Sequence, residues 1–316
     1  MTKRNLGNSG IQIVPLAFGG NVFGWTIDEP TSFRLLDQFS EAGFNFIDTA
    51  DMYSNWKPGN VGGESETIIG NWLKRKGNRE AVVIATKLGK PMGEGKKGLS
   101  PAYIKEAVEA SLKRLQTDYI DLYQAHDDDP DTPIAETLDA FSTLVKEGKV
   151  RAIGASNFTA NRLEESMQVA IQNGLTPYST LQPHYNLYAR SDFEQQLLPV
   201  CERHQLAVIP YYALASGFLT GKYRSEADLG QSPRGGGVAK FLNERGYRVL
   251  DALDQLAKDK QASPAQIALA WLQHRPTIAA PIASATSPEQ LKDILQSVQI
   301  ELSASEMRML EDASAA

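Results

Sequence analysis

The sequence has few of the side chains on which crosslinks and soft metal centres depend. It contains one cysteine, Cys201, and four histidines among 316 residues. A single cysteine excludes an internal disulfide, and without a second thiol it excludes a cysteine-based zinc site. This cysteine usage fits a reducing compartment.

The sequence also lacks an excess of positive charge and long apolar runs. With 32 basic and 38 acidic residues the net charge is −6, so no general attraction to nucleic acid or anionic membranes is expected. No stretch approaches the ~18 apolar residues of a membrane span, and the start, MTKRNLGNSG, has no apolar core of a secretory signal. These features predict a cytoplasmic protein with no nucleic-acid or membrane partner.

Short apolar runs rich in β-branched residues recur along the chain. Because they do not alternate with polar residues, they predict strands that are buried on both faces. The runs are PLAFG (15 to 19), FNFID (44 to 48), AVVIAT (81 to 86), IDLYQA (120 to 125), VRAIGAS (150 to 156), STLQP (179 to 183), LAVIPY (206 to 211) and TIAAPI (277 to 282).

Segments with helical spacing separate these strands, and some begin with a recognisable cap. Ser100 precedes Pro101, and Ser287 precedes Pro288, a combination typical of the first turn of a helix. Alternating strands and helices predict a parallel sheet with right-handed crossovers. Eight such units predict an α/β fold of the (β/α)8 TIM-barrel type, formed by a single domain spanning residues 1–316.

Three segments fall outside this repeat. RNLGNSGIQIV, at the start, predicts a β-hairpin that plugs one end of the barrel, and LSASEMRMLEDA predicts an extra C-terminal helix. Residues 212 to 245 lack a clear period and predict a long loop.

GEGKKG (93 to 98) matches G-x-G-x-x-G, which leaves an open doubly wound sheet as an alternative, but it does not join a strand directly to a helix.

Polar residues at the ends of neighbouring strands are the candidate catalytic groups, because the sites of such barrels lie at the carboxyl ends of the strands. Asp48 ends the second run, Lys87 follows the third, His126 follows the fourth, and Tyr53 lies in the loop after Asp48. A buried Lys87 would pair with Asp48, and its ammonium is expected to lower the pKa of Tyr53. His126 can donate a hydrogen bond to a carbonyl oxygen, so the set suits carbonyl reduction.

These motifs, FIDTADMYS and ATKLG, occur with RNLGNSGIQIVPLAFGG, VRAIGASNF, LQPHYNLYAR, SGFLTGKY and PIASATSPEQL, and together they resemble the aldo-keto reductase family over the whole length. The resemblance implies the same barrel, reduction of a small aldehyde or ketone, and NADPH bound in an extended form without a Rossmann domain. It implies that Tyr53 is the general acid, that Lys87 and Asp48 tune it, and that His126 orients the carbonyl.

The resemblance also implies a set of cofactor-binding positions. Gly20 and Asn21 belong to this set; Ser156, Asn157 and Gln182 would bind the nicotinamide carboxamide, and Tyr211 would stack on its ring. The loop over the pyrophosphate corresponds to Leu214, Gly217, Leu219 and Lys222. The adenosine phosphate would lie at Ser284, Thr286, Ser287 and Gln290.

Some positions depart from the family pattern. Ser284, Ser287 and Ile294 stand where many relatives have Gly, Arg and Asn, so NADH remains an alternative cofactor. YYAL (211 to 214) replaces the commoner YSPL, and three aspartates follow His126. We interpret the aspartates as a solvated turn, and we expect the aromatic residues Phe23, Trp25 and Trp56 to rim a pocket suited to hydrophobic aldehydes.

Two other functions stay open. The first is a metal-dependent hydrolase whose ion is held by His126 with His184 or one of Asp127, Asp128 and Asp129, although no His-x-His pair is present. The second is a binding module, because proteins similar to this family serve as cofactor-sensing channel subunits that keep the four catalytic residues.

Overall fold

The computed structural model describes residues 2–232 and 235–315. The chain begins with an antiparallel hairpin of β1 (Arg4–Asn5) and β2 (Gln12–Ile13). Arg4 donates from Nη1 to the carbonyl of Ile278 (2.8 Å) and from Nη2 to that of Gln273 (2.7 Å), which ties the hairpin to the end of the barrel. The predicted hairpin is therefore confirmed.

Eight parallel strands form the sheet in the order β10, β3, β4, β5, β6, β7, β8, β9. They are β3 (Ala17–Gly19), β4 (Phe46–Asp48), β5 (Val83–Leu88), β6 (Ile120–Ala125), β7 (Val150–Ser156), β8 (Thr180–Gln182), β9 (Ala207–Val208) and β10 (Ile282–Ala283). The edges meet where the N–H of Val208 donates to Thr277 (2.9 Å) and that of Ala279 donates to Val208 (2.9 Å). The curled sheet is consistent with the predicted (β/α)8 fold.

Helices surround the strands and link them. They are α1 (Glu29–Glu41), α2 (Glu64–Lys76), α3 (Pro101–Leu115), α4 (Ile134–Lys146), α5 (Ala160–Asn173), α6 (Leu198–Arg203), α7 (Glu244–Lys260), α8 (Pro264–Gln273), α9 (Pro288–Leu295) and α10 (Ala304–Ala313). Ser100 and Ser287 cap α3 and α9 as predicted, and α10 is the expected extra helix. None of the helices in the described residues is long and apolar enough to cross a membrane.

The chain between β9 and β10 contains two helices instead of one. Both α7 and α8 lie there, and α8 begins at a capping box formed by Ser263 and Gln266. The buried face of α8 includes Trp271, which is fully enclosed. The sequence of α8 is apolar on nearly every face of the helix. Its hydrophobic pattern alone therefore does not distinguish a buried helix from a buried strand.

The apolar core has two parts. The larger part lies between the sheet and the surrounding helices, and the smaller one lies inside the barrel and at its hairpin end. The hairpin contributes Leu6 and Ile13 to the smaller part, where they meet Phe46 and Leu122 from the strands. Because the hairpin closes this end, the carboxyl ends of the strands form the accessible face.

The predicted loops adopt compact turns. Residues 233 and 234 of the predicted loop 212 to 245 lie outside the described residues; the described parts of the chain between β9 and α7 form short 3-10 turns, the first of which is Ala215–Thr220. Within it Ala215, Ser216 and Gly217 have φ values of 47°, 59° and 98°, so three successive residues occupy the left-handed region. The glycine-rich segment 93 to 98 lies in the loop between β5 and α3, which confirms that it does not join a strand directly to a helix.

Candidate functional site

The four candidate catalytic residues meet at the carboxyl ends of β4, β5 and β6. Asp48 is the last residue of β4, and His126 directly follows β6. Lys87 lies within β5 rather than after it, because the strand continues to Leu88. Tyr53 is carried by the loop after β4, and its hydroxyl lies 3.1 Å from Nζ of Lys87.

Lys87 is the centre of this group. Its Nζ donates to Oδ2 of Asp48 (2.9 Å), to the carbonyl oxygen of Thr49 (2.5 Å) and to Oη of Tyr53 (3.1 Å), so each of its three protons has an acceptor. Lys87 and Asp48 are 0% and 1% exposed. The second oxygen of Asp48 accepts from Nε2 of Gln182 (2.9 Å), which completes the hydrogen bonding of the buried pair.

The environment acts on the pKa values of Tyr53 and Lys87 in opposite directions. Burial, then the carboxylate of Asp48, raises the pKa of Tyr53 well above its usual range. Burial lowers the pKa of Lys87, while Asp48 opposes that shift. The expectation that the ammonium would lower the pKa of Tyr53 is therefore wrong for this state of the protein. The phenol keeps its proton at neutral pH, as an acid must.

His126 lies beside Tyr53, with the two ring centroids 6.0 Å apart. Burial, followed by the charges of Lys87 and Lys90, holds the pKa of His126 well below its usual range. The imidazole is therefore neutral near pH 7 and carries one N–H. Its Nδ1 is buried and has no hydrogen-bond partner within the described residues.

A cavity of about 930 Å³ extends from these residues along the face of the barrel. Ser156 ends β7, Gln182 ends β8, and Asn157 and Tyr211 follow strands nearby; all four line the cavity. The hydroxyl of Tyr211 donates to Oδ1 of Asn157 (2.7 Å), whose Nδ2 donates to the carbonyl of His126 (2.8 Å). This places a hydrogen-bonded aromatic ring next to the catalytic candidates.

The far arm of the cavity lies near the start of α9. Ser284 donates from Oγ to Oδ1 of Asn21 (2.7 Å), and the N–H and hydroxyl of Thr286 donate to Oε1 of Gln290 (2.9 and 3.0 Å). These four residues line the cavity, whereas Ser287 uses its side chain to cap α9 and is not part of the lining. The structure thus brings most of the predicted phosphate-binding positions together.

Of the four positions predicted in the loop over the pyrophosphate, three line the cavity and one does not. Leu214, Gly217 and Lys222 line the cavity, and the side chain of Lys222 is exposed. Leu219 is fully buried in the core instead. Gly20 is also buried outside the lining, since a Cβ there would lie 2.9 Å from Oγ of Ser65. The order of the motifs does not show which way a loop residue faces, so the burial of Leu219 and Gly20 could not be inferred from it.

Aromatic residues surround the mouth of the cavity. Trp25 and Trp56 line it and pack edge to face with centroids 5.6 Å apart, and Trp56 also lies 5.9 Å from the ring of Tyr53. Phe23 was predicted to share this rim, but it is fully buried against Phe18 in the core. That prediction is wrong because the short turn after β3 directs Phe23 inward.

Several lining residues escaped the sequence reasoning. They include Met52, Lys90, Ser263, Ala265 and Asp293. Asp293 accepts hydrogen bonds from Oγ of Ser263 (2.9 Å) and Nε2 of Gln266 (2.8 Å). The Ser263-Pro264 cap of α8 is the one sequence signal that could have placed part of this group.

The three aspartates after His126 have separate partners. Asp127 pairs with Lys90 (3.3 Å), Asp128 with Arg162 (2.8 Å), and Asp129 accepts from the N–H of Leu99 (2.6 Å). Asp128 and Asp129 thus hold neighbouring segments, which agrees with the turn interpretation. Throughout residues 2–232 and 235–315, no cluster of three or more His, Cys, Asp or Glu side chains could hold a metal ion.

Comparison with known proteins adds an independent finding. The model of the Aldo/keto reductase family matches residues 15–315. The chain is 37% identical to "Uncharacterized oxidoreductase YrpG" of Bacillus subtilis (97% of this chain, 94% of that protein). It is 33% identical to "Norsolorinic acid reductase" of Aspergillus flavus (97% and 79%) and 33% identical to "Probable voltage-gated potassium channel subunit beta" of Arabidopsis thaliana (95% and 92%).

Proposed function

The chain belongs to the aldo/keto reductase family and is an oxidoreductase, and we propose that it reduces aldehydes or ketones to alcohols with NADPH, using Tyr53 as the general acid. The observation that carries this proposal is the contact of Lys87 with both Asp48 and Tyr53 on the cavity wall. Such a group supplies a proton beside an aromatic binding surface.

The chain's own residues account for the handling of the carbonyl. Tyr53 holds a proton on Oη and donates it to the carbonyl oxygen as that oxygen gains negative charge. The neutral ring of His126 donates its N–H to the same oxygen and fixes its position. Lys87 keeps a positive charge 3.1 Å from Oη, which stabilises the phenolate left behind. Bound NADPH supplies the hydride.

The residues along the cavity fit a nicotinamide cofactor. Tyr211 offers an aromatic face, and Asn157 and Gln182 offer amide groups beside it. The bare backbone of Gly217 lies next to Lys222, which supplies positive charge for a pyrophosphate. Gln290 and its neighbours at the start of α9 offer polar groups at the far arm, and NADH remains the alternative cofactor.

The substrate we propose is a small hydrophobic carbonyl compound. The rim formed by Trp25 and Trp56 buries apolar surface, and Tyr212 adds an exposed ring at the same mouth. A relative that is named as a reductase of norsolorinic acid supports a carbonyl substrate. We further propose that residues 1–316 form one domain that works in the cytoplasm.

The second candidate function is a cofactor-sensing module with little turnover. It is favoured by the relatives named as potassium channel beta subunits, which align with 95% of this chain. Because this function keeps the same catalytic residues, it differs from the first in rate rather than in the geometry of the site.

Oxidation of NADPH, and separately of NADH, by the purified protein in the presence of small and aromatic aldehydes tests the proposed function. We expect loss of cofactor absorbance that depends on the aldehyde, with faster turnover for aromatic aldehydes. Tight cofactor binding without turnover would favour the sensing module. If neither binding nor turnover occurred, the assignment of the cavity to a nicotinamide cofactor would be wrong.

Substitution of Lys222 tests the placement of the pyrophosphate. Lys222→Gln removes a charge from the cavity wall without touching Asp48, Tyr53 or Lys87. We expect the Kd for NADPH to rise about tenfold, which corresponds to ~1.4 kcal/mol, and to depend less on salt than in the wild type. Lys240→Gln, outside this cavity, is the matched control. An unchanged Kd for Lys222→Gln would place the pyrophosphate elsewhere.

A further inference from the structure

A second buried carboxylate lies behind the catalytic residues and has no role in the mechanism above. Asp51 is 2% exposed and does not line the cavity. Its backbone N–H donates to the carbonyl oxygen of Lys87 (3.0 Å), which fixes it against β5. Neither Oδ1 nor Oδ2 has a partner of good hydrogen-bond geometry within the described residues; the backbone N–H of Met52 is near enough to oppose the rise in the pKa of the carboxyl but does not reverse it. A buried carboxyl in this condition is unusual, because an unpartnered charge is costly.

The neighbours of Asp51 explain why it has no partner. Glu66 of α2 is fully buried and accepts from Nε of Arg114 (2.6 Å) and from Oγ1 of Thr86 (2.6 Å). Arg114 can approach because residue 63 is glycine, where a Cβ would lie 2.4 Å from Cδ of the arginine. The guanidinium is thus directed to Glu66 rather than to Asp51.

A count of charges identifies the surplus group. Three buried carboxylates, those of Asp48, Asp51 and Glu66, face two cations, the fully buried Lys87 and the partly exposed Arg114. Lys87 is hydrogen-bonded to Asp48, and Arg114 to Glu66. If all five groups were ionised, the region would hold an uncompensated negative charge. Because an unpaired buried charge is costly, this balance favours one proton on Asp51.

The electrostatics agree with this count. Burial, and next the charge of Glu66, raise the pKa of Asp51 to about 8. In turn, the carboxylate of Asp51 opposes the effect of burial on the pKa of Lys87. The ionisable groups that face Asp51 are Glu66 from α2, Tyr103 and Arg114 from α3, Lys87 from β5 and Tyr123 from β6.

We propose that Asp51 is a positioning residue that carries a buried proton at neutral pH and releases it to solvent in mildly alkaline solution, where its negative charge then keeps the ammonium on Lys87. It acts through Lys87 and touches neither substrate nor cofactor. By preserving that ammonium, Asp51 maintains Tyr53 as a proton donor over a wider pH range. This catalytic consequence rests on the proposed function, whereas the buried proton itself does not.

The buried proton is tested by thermal unfolding of the wild type and of Asp51→Asn as a function of pH. The folded-state pKa of Asp51, about 8, lies above its ordinary value of 3.8. The burial of Asp51 therefore costs little below pH 4, and its contribution lowers the stability of the wild type progressively as pH rises from about 4 to about 8. Asp51→Asn lacks this loss, so its Tm should exceed that of the wild type by an increasing margin over the same window.

Two further measurements complete this test. Asp139→Asn removes an exposed carboxylate on α4 and controls for the change in net charge; its Tm should follow the wild type. A carboxyl 13C NMR titration of the wild type should show one buried aspartate that titrates near pH 8, without any substitution. The proposal of a buried proton on Asp51 would be overturned if the difference in Tm between Asp51→Asn and the wild type stayed constant with pH. It would also be overturned if no buried aspartate titrated near pH 8.

The catalytic consequence is tested by the pH dependence of kcat/KM. In Asp51→Asn no charge develops beside Lys87, so the alkaline limb should move to lower pH by about one unit, as expected for one nearby buried charge. The limb of Asp139→Asn should not move. Superimposed profiles of Asp51→Asn and the wild type would overturn this consequence. Absence of turnover in the wild type would instead overturn the proposed function. The Tm measurements would still test whether Asp51 carries a proton at neutral pH.

Discussion

Replacing Tyr53 by phenylalanine is expected to lower kcat by about 10²–10⁴-fold, the usual contribution of a positioned acid. The variant loses the hydroxyl that lies 3.1 Å from Nζ of Lys87 but keeps the ring that packs near Trp56 and His126. Because Tyr211, Asn157 and Gln182 are unchanged, the Kd for NADPH should stay within about twofold. Steady-state kinetics and cofactor fluorescence titration measure the two quantities separately.

A matched control removes a phenol hydroxyl elsewhere. Tyr247→Phe changes an exposed residue of α7 outside the cavity and should keep the wild-type kcat. An undiminished rate for Tyr53→Phe would show that another group donates the proton. Equal losses in both variants would point to a general effect on folding rather than to the chemistry of Tyr53.

Replacing Lys87 by methionine is expected to damage both activity and stability. The change leaves Asp48 buried with two neutral donors, Nε2 of Gln182 (2.9 Å) and the hydroxyl of Tyr53 (3.5 Å), and it removes the donor to the carbonyl of Thr49. Breaking one half of a buried ion pair commonly costs about 3–5 kcal/mol of unfolding free energy. Turnover should fall by at least about 10²-fold, because Tyr53 loses the positive charge beside its oxygen. Urea unfolding at pH 7 measures the loss of stability.

A double-mutant cycle separates the unpaired charge from the loss of packing. Combining Lys87→Met with Asp48→Asn removes both charges, so much of the lost stability should return, while activity should not. Lys90→Met, at the exposed mouth, is the matched control for loss of a lysine near the site and should change stability by less than about 1 kcal/mol. If the double variant were as unstable as Lys87→Met, the unpaired carboxylate would not be the cause.

The substitutions Tyr53→Phe and Lys87→Met test different properties of the same group of catalytic residues. Tyr53 is half-buried at the cavity, so its replacement affects chemistry without opening the core. Lys87 is fully buried and joins Asp48, Thr49 and Tyr53, so its replacement affects the fold and the chemistry together. The site is therefore built on two adjacent strands of the barrel, β4 and β5.

Local patterns in the sequence predicted most of the fold. Apolar runs predicted the order of the strands, the serine-proline pairs at Ser100 and Ser287 predicted the starts of two helices, and the position of Asp48 at a strand end indicated where the candidate site lies. Each depends on residues close in the chain, which is why it can be read from sequence. The family resemblance, now confirmed, supplied the expected binding positions, which spacing alone does not specify.

Other properties were decided by the tertiary structure. The inward position of Phe23, the burial of Leu219 and the use of Ser287 as a cap depend on how each loop packs. The raised pKa of Tyr53 was predicted with the wrong sign, because the sequence placed an ammonium nearby but did not reveal the extent of burial or the effect of the carboxylate.

The sequence by itself determined which groups could do chemistry and the order in which the strands present them. Only the tertiary structure decided how many charges share one buried region, since Asp51, Glu66 and Arg114 come from three separate segments and none belongs to a motif with Lys87. Desolvation and charge balance are sums over everything within a few ångströms, and those neighbours are distant in the chain.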